Sequence, residues 1–136
     1  PPNHLLIMTV FSNHHYRVEL SADETTLEFH WEDANVNMTY ADFQEACSNY
    51  LGYAFEYETR QFLIDVRNFR FQLPPEFPAW QREEHYPRYY KRGVRKVAYV
   101  MPAEYVPQAK TIEATPGKFA LENFATPAEA NTWLRA

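Results

Sequence analysis

Three stretches in the first third of the chain carry strand patterning. Leu5 to Phe11 reads as one apolar run. Tyr16, Val18 and Leu20 alternate with His15, Arg17 and Glu19, and Leu27, Phe29 and Trp31 alternate with Thr26, Glu28 and His30. Ser21-Ala22-Asp23-Glu24 suits a hairpin loop. If that loop sets the register, Val18 faces Leu27, Tyr16 faces Phe29, Arg17 faces Glu28 and His15 faces His30, with the apolar face buried and the other in water. From Thr39 the period lengthens. Phe43, Ala46, Cys47, Tyr50, Leu51, Ala54 and Phe55 form one apolar stripe of a helix. Thr39 and Asp42 stand at its N-cap and third position, and Gly52 is expected to weaken it and let it fray.

Phe62 to Val66 is apolar without alternation, the mark of a strand covered on both faces. Pro74-Pro75 breaks the chain, and Pro75 suits the first turn of the next helix, with Glu76 at the positive end of its dipole. Pro78 is tolerable there. Pro87 lacks an amide and clashes with the preceding turn, which predicts a kinked or two-part helix ending near Gly93. Val94 to Met101 reads as a second buried strand, Ala103 to Lys110 as a short helix interrupted by Pro107, and Phe119 to Phe124 as a last strand. Thr126-Pro127-Ala128-Glu129 then supplies an N-cap, a proline and an acid for a closing helix with Ala130, Trp133 and Leu134 inward. The predicted order is βββαβαβαβα: a single α/β domain over residues 1–136, with a mixed sheet of about five to six strands and helices packed on it.

Composition adds bounds. At 136 residues with 46% apolar and 17% aromatic positions, the chain can bury a core, and disorder is excluded. No apolar run is long enough to span a membrane, no signal peptide is evident, and the single Cys47 fits a reducing compartment, so a cytoplasmic location is expected. The opening Pro1 fits a piece of a longer protein as well as a whole one. A net charge of −5 argues against nucleic acid as partner. The segment from Arg82 to Lys96 nevertheless carries six basic residues against Glu83 and Glu84.

At Phe62-Leu63-Ile64-Asp65-Val66-Arg67-Asn68-Phe69, at Arg95-Lys96-Val97-Ala98-Tyr99-Val100-Met101-Pro102 and at the closing Phe119 to Leu134, the chain resembles the SpoIIAA-like, or STAS-like, domains of bacteria. The resemblance implies a mixed sheet with packed helices and a non-enzymatic regulatory module that docks a protein partner. It departs in one respect. The family's phosphorylatable members carry a serine after the central strand, whereas no Ser or Thr occurs between Val66 and Gln81, so that switch does not carry over.

Asp65, Arg67, Asn68 and Phe69 follow the central strand, where open α/β sheets bind ligands. They read either as a turn held by its own side chains or as a docking site that uses Arg67. Phe77, Trp80 and Tyr89 on the proline-kinked helix either cover the sheet or roof a cavity for an apolar small molecule or lipid. His15 and His30, with His14 beside them, offer too few ligands for zinc, and neither a metal nor a cofactor is expected. A weak metal-dependent hydrolase on this His-rich face is the remaining alternative. Cys47 reads as inert packing, and Tyr86, Tyr89 and Tyr90 among Arg88, Lys91 and Arg92 read as sheet-covering aromatics with a solvated basic face. With three glycines there is no phosphate loop.

Overall fold

The computed structural model describes residues 7–136; Leu5 and Leu6 of the first expected strand lie outside them. The six strands β1 (Met8–Ser12), β2 (Tyr16–Leu20), β3 (Thr26–Trp31), β4 (Gln61–Asp65), β5 (Lys96–Val100) and β6 (Ala120–Phe124) form one sheet in sequential order. β1 to β3 are an antiparallel meander, and β3 to β6 run parallel. This is the mixed sheet expected, and the order of elements agrees except between β5 and β6, where no α-helix forms.

The hairpin register differs from expectation by two residues. Tyr16 lies opposite Trp31, Arg17 opposite His30, Val18 opposite Phe29 and Glu19 opposite Glu28. The reason is Asp23. Its Oδ1 accepts from the Ser21 hydroxyl and from both the amide and the hydroxyl of Thr25, so Ala22 to Thr25 becomes the loop and Thr26 already belongs to the strand. Glu24 takes the left-handed turn position at φ 60°. The polar side of β3 is also not in water: Glu28 and His30 are 8% and 7% exposed.

Helix α1 (Tyr40–Glu56) begins with a reciprocal cap, Thr39 Oγ1 accepting from the Asp42 amide and Asp42 accepting from the Thr39 amide. It does not fray at Gly52, because Leu51 and Ala54 beyond the midpoint are buried. Phe55 is not part of its buried stripe and is 68% exposed under the Arg92 guanidinium, 4.7 Å from the ring centre. Eleven steps bring Ala54 to within about 20° of Phe43 around the helix, whereas twelve leave Phe55 about 120° away.

The proline-rich segment forms α2 (Phe77–Trp80), a π-helical turn (Gln81–His85) and α3 (Tyr86–Lys91). The helix starts two residues after Pro75, with Pro78 inside its first turn. At Pro87 there is no amide to continue the α pattern. The chain accommodates this by widening the preceding turn, so that the Tyr86 amide bonds to the Gln81 carbonyl five residues back. Gly93, at φ 77°, ends α3 as expected. Residues 103–110 are not an α-helix. A 3-10 turn (Ala103–Gln108) leads into an irregular strap whose Ile112 pairs back to Leu121. Helix α4 (Pro127–Leu134) is capped by Thr126, which accepts from the Glu129 amide.

All three crossovers between parallel strands lie on one sheet face, where Phe29, Trp31, Phe43, Tyr50, Phe62, Tyr89 and Phe119 build an aromatic core. On the other face, among the described residues, α4 alone packs down, covering Leu63, Ala98 and Val100. Among the described residues no helix is long and apolar enough to cross a membrane.

Candidate functional site

On the aromatic face the two helical crossovers fill their space, but the β5–β6 crossover has only a 3-10 turn and a strap. The missing helix leaves a cavity of about 500 Å3 between the sheet, α1, the π turn and the strap. Its walls are mostly apolar, with Trp31, Phe43, Ile64, Phe69, Phe77 and Leu121 among them. Lys110 and Thr111 of the strap are exposed as well as lining, which puts the mouth there.

Polar groups are few and come from specific positions. His85, the last residue of the π turn, is 5% exposed and lines the cavity. Its ring stacks on Trp80 at 4.8 Å and meets Tyr89 in an edge-to-face contact at 4.7 Å. Neither ring nitrogen has a hydrogen-bond partner among the described residues. Burial first, and then the positive Arg88, push its pKa down to about 4, so it is a neutral imidazole. Tyr86 and Tyr99 place their hydroxyls 3.5 Å apart, a pair at the long limit of hydrogen bonding. Asn123 donates to the Lys110 carbonyl at 2.9 Å and so ties the strap to β6. Cys47 faces the cavity from α1, and burial pushes its thiol up to about 12.

The loop after β4 supplies one wall through Phe69 and Leu73. A residue that sequence patterning did not single out holds it. Asn35, fully buried in the 3-10 turn Asp33–Asn37, donates to the carbonyls of Glu32 and Asn68 and accepts from the amides of Arg70 and Phe71. One side chain thus satisfies four backbone groups of two segments that have no ladder between them.

The opposite face carries a different arrangement. His30 Nε2 donates to Glu28 at 2.8 Å and lies 3.5 Å from Glu19, while Nδ1 lies 3.3 Å from Asp65. Burial opposes the charge on His30, but the hydrogen bonds to Asp65 and Glu28 outweigh it and raise the pKa to about 9. For Asp65, burial is likewise outweighed by His30 and Arg67, and its carboxyl is held well below the usual range. Arg17 closes the network on Glu19 and Glu32. Glu19, Glu28 and His30 offer ligand atoms within 4.8 Å of one another, so carboxylates do converge on His30, contrary to expectation. The cause is the shifted register, which sets Glu19 opposite Glu28 and removes His15 from His30. The imidazolium already supplies these carboxylates with a cation.

The expected candidates therefore divide. Phe69, Phe77 and Tyr89 line the cavity, and Trp80 stands behind His85 as its stacking partner. Asp65 and Arg67 are engaged with each other, Asp65 accepting from the Arg67 amide and guanidinium with a shortest contact of 2.7 Å, and the Asn68 backbone carbonyl accepts from Asn35 of the 3-10 turn. Tyr86, Tyr89 and Tyr90 pack on Phe119 with ring centres within 5.4 Å, leaving Arg88, Lys91 and Arg92 in solvent. His85, Tyr99 and Asn123 were missed as wall residues, although the four-residue spacing of His85 and Tyr89 was a usable signal. No protein-family model matches the chain, nor does any curated protein or solved structure.

Proposed function

We propose that this protein binds a small, largely apolar molecule in the cavity under the kinked helix, as a carrier or sensor, and that it is not an enzyme. The observation behind this is the size of the cavity against the apolar character of its walls. Protein interiors pack as densely as organic crystals. The cavity opens to solvent at the strap and its walls are predominantly apolar, which is the character of a ligand site rather than of a sealed packing defect. Water is a poor filler for aromatic and aliphatic walls that offer few hydrogen bonds. The volume falls within the range of small-molecule sites.

Docking of a protein partner through Arg67, the role the STAS-like resemblance implies, has less behind it, because Asp65 holds that guanidinium. The titratable groups that a hydrolase would need converge on a sheet face as a self-neutralising network, away from the cavity.

The neutral fluorophore N-phenylnaphthylamine tests the proposal. Its emission is expected to rise and saturate at one molecule per chain, and Cys47→Phe, which builds a ring into the cavity from α1, is expected to abolish the rise while the chain stays folded. A flat titration with the wild-type protein would overturn it.

A further inference from the structure

The polar groups of the cavity carry a statement about what enters it. We infer that the occupant is an uncharged aromatic or planar alicyclic molecule bearing a hydroxyl or carbonyl group, held by His85 and by the Tyr86–Tyr99 hydroxyl pair, rather than a fatty acid or another anion. This rests on the binding function proposed above and names its ligand class.

His85 provides the first observation. It makes no hydrogen bond among the described residues, and its ring nitrogens are not among the fully covered polar atoms without a partner, which are Tyr40 Oη and Thr59 Oγ1, so they keep surface open to an incoming group. Its orientation is fixed: Trp80 lies flat against one face of the ring at an interplanar angle of 12°, and Tyr89 abuts it at 65°. A ring held this way can offer its nitrogens only along its edge. The π turn contributes directly, since an extra residue in a turn rotates the remainder of the helix by about 100° relative to a continuous α-helix.

The second observation is the hydroxyl pair. Tyr86 and Tyr99 come from α3 and β5 and meet at 3.5 Å, which leaves both oxygens able to accept and the accepting one able to donate. Both residues line the same cavity as His85. A neutral imidazole offers one donor and one acceptor, and a phenol offers the same. These groups match an alcohol, a phenol, a ketone or a quinone. They suit a carboxylate poorly, because no cation lies among them. Lys110, the lining residue with a positive charge, is at the exposed mouth. The aromatic walls then favour a flat, rigid skeleton over a flexible chain.

Competition against N-phenylnaphthylamine with three molecules of one skeleton, naphthol, naphthalene and naphthoate, at neutral pH, is the test. Naphthol is expected to bind about tenfold tighter than naphthalene, the worth of one good neutral hydrogen bond, and naphthoate at least tenfold weaker than naphthol. His85→Phe keeps the stack on Trp80 and should bring naphthol down to the affinity of naphthalene while leaving naphthalene unchanged. Tyr99→Phe should do the same in part, and serves should His85→Phe fail to fold. If the fluorophore binds but naphthoate competes best, the cavity reads acids through Lys110 and the inference falls while the binding function stands. If naphthol and naphthalene bind equally, the polar groups play no part and the inference falls again. If neither the fluorophore nor any of the three binds, the proposed function itself fails.

Discussion

Two histidines on opposite faces of this sheet are buried to nearly the same degree, His30 at 7% exposure and His85 at 5%, and are kept in opposite charge states. His30 lies among Asp65, Glu28 and Glu19, and stays protonated far above the usual range. His85 lies against a tryptophan and a tyrosine with Arg88 nearby, and stays neutral well below it. Burial alone pulls both downward. What differs is the neighbours, and the neighbours differ because the faces are built differently. Where three crossovers pile aromatics on the sheet there is space and little charge. Where one short helix covers half the sheet, the remainder is closed by side chains that neutralise one another.

The largest way to break this contrast is to remove the counter-charge. Asp65→Ala leaves His30 and Arg67 short of a carboxylate in a buried setting, and such a deletion costs about 3 kcal/mol or more. Urea unfolding should show that loss, together with a fall in the His30 pKa followed by NMR. A loss under about 1 kcal/mol would mean that the network behaves as an exposed surface pair.

The pH dependence of stability separates the two faces next. Between the ordinary histidine pKa of 6.5 and about 9, the folded chain keeps a proton on His30 that the unfolded chain has lost. This contribution is complete below pH 6.5 and disappears as pH rises through about 9. His85 acts in the opposite sense. Between about 4 and 6.5 the unfolded chain takes up a proton that the folded chain refuses, so stability falls as pH drops through that window. Each limb is worth on the order of 3 kcal/mol. His30→Gln should flatten the alkaline limb and His85→Phe the acid one, measured as ΔG of unfolding against pH. A variant that flattened the other limb would reverse the assignment.

The α/β class, the strand order and the wrapping of β4 were legible because they rest on local periodicity and on prolines. Pro87 announced a broken helix, Gly93 its end, and Thr126-Pro127 the start of α4. The cross-strand partners were less legible because they depend on register, which Asp23 shifted by gathering Ser21 and Thr25 around one carboxylate oxygen. That shift brought Glu19, Glu28 and His30 together and separated His15 from them. The candidate site was half legible. Phe69, Phe77 and Tyr89 stood out as large aromatics next to breakers, but the cavity itself comes from a helix that failed to form between Pro102 and Phe119. The clamp Asn35 bonds only to residues brought near by the fold, so no local pattern marks it.

The smallest perturbation tests the dryness of the cavity face without touching stability. Cys47 keeps some accessible surface, yet that surface faces the cavity, and burial holds its thiol near 12 against an ordinary 9.0. Because the thiolate is the reactive form, about a thousandfold less of it is available at neutral pH than on an unfolded chain. Iodoacetamide should therefore alkylate Cys47 at least about a hundredfold more slowly in the native protein than in urea, as followed by mass spectrometry. The slowing should deepen when naphthol occupies the cavity, since the ligand then covers the sulfur as well. A native rate equal to that in urea would mean that bulk water reaches the α1 wall. His85 would then owe its neutrality to Arg88 alone, and the two faces would differ in charge but not in wetness.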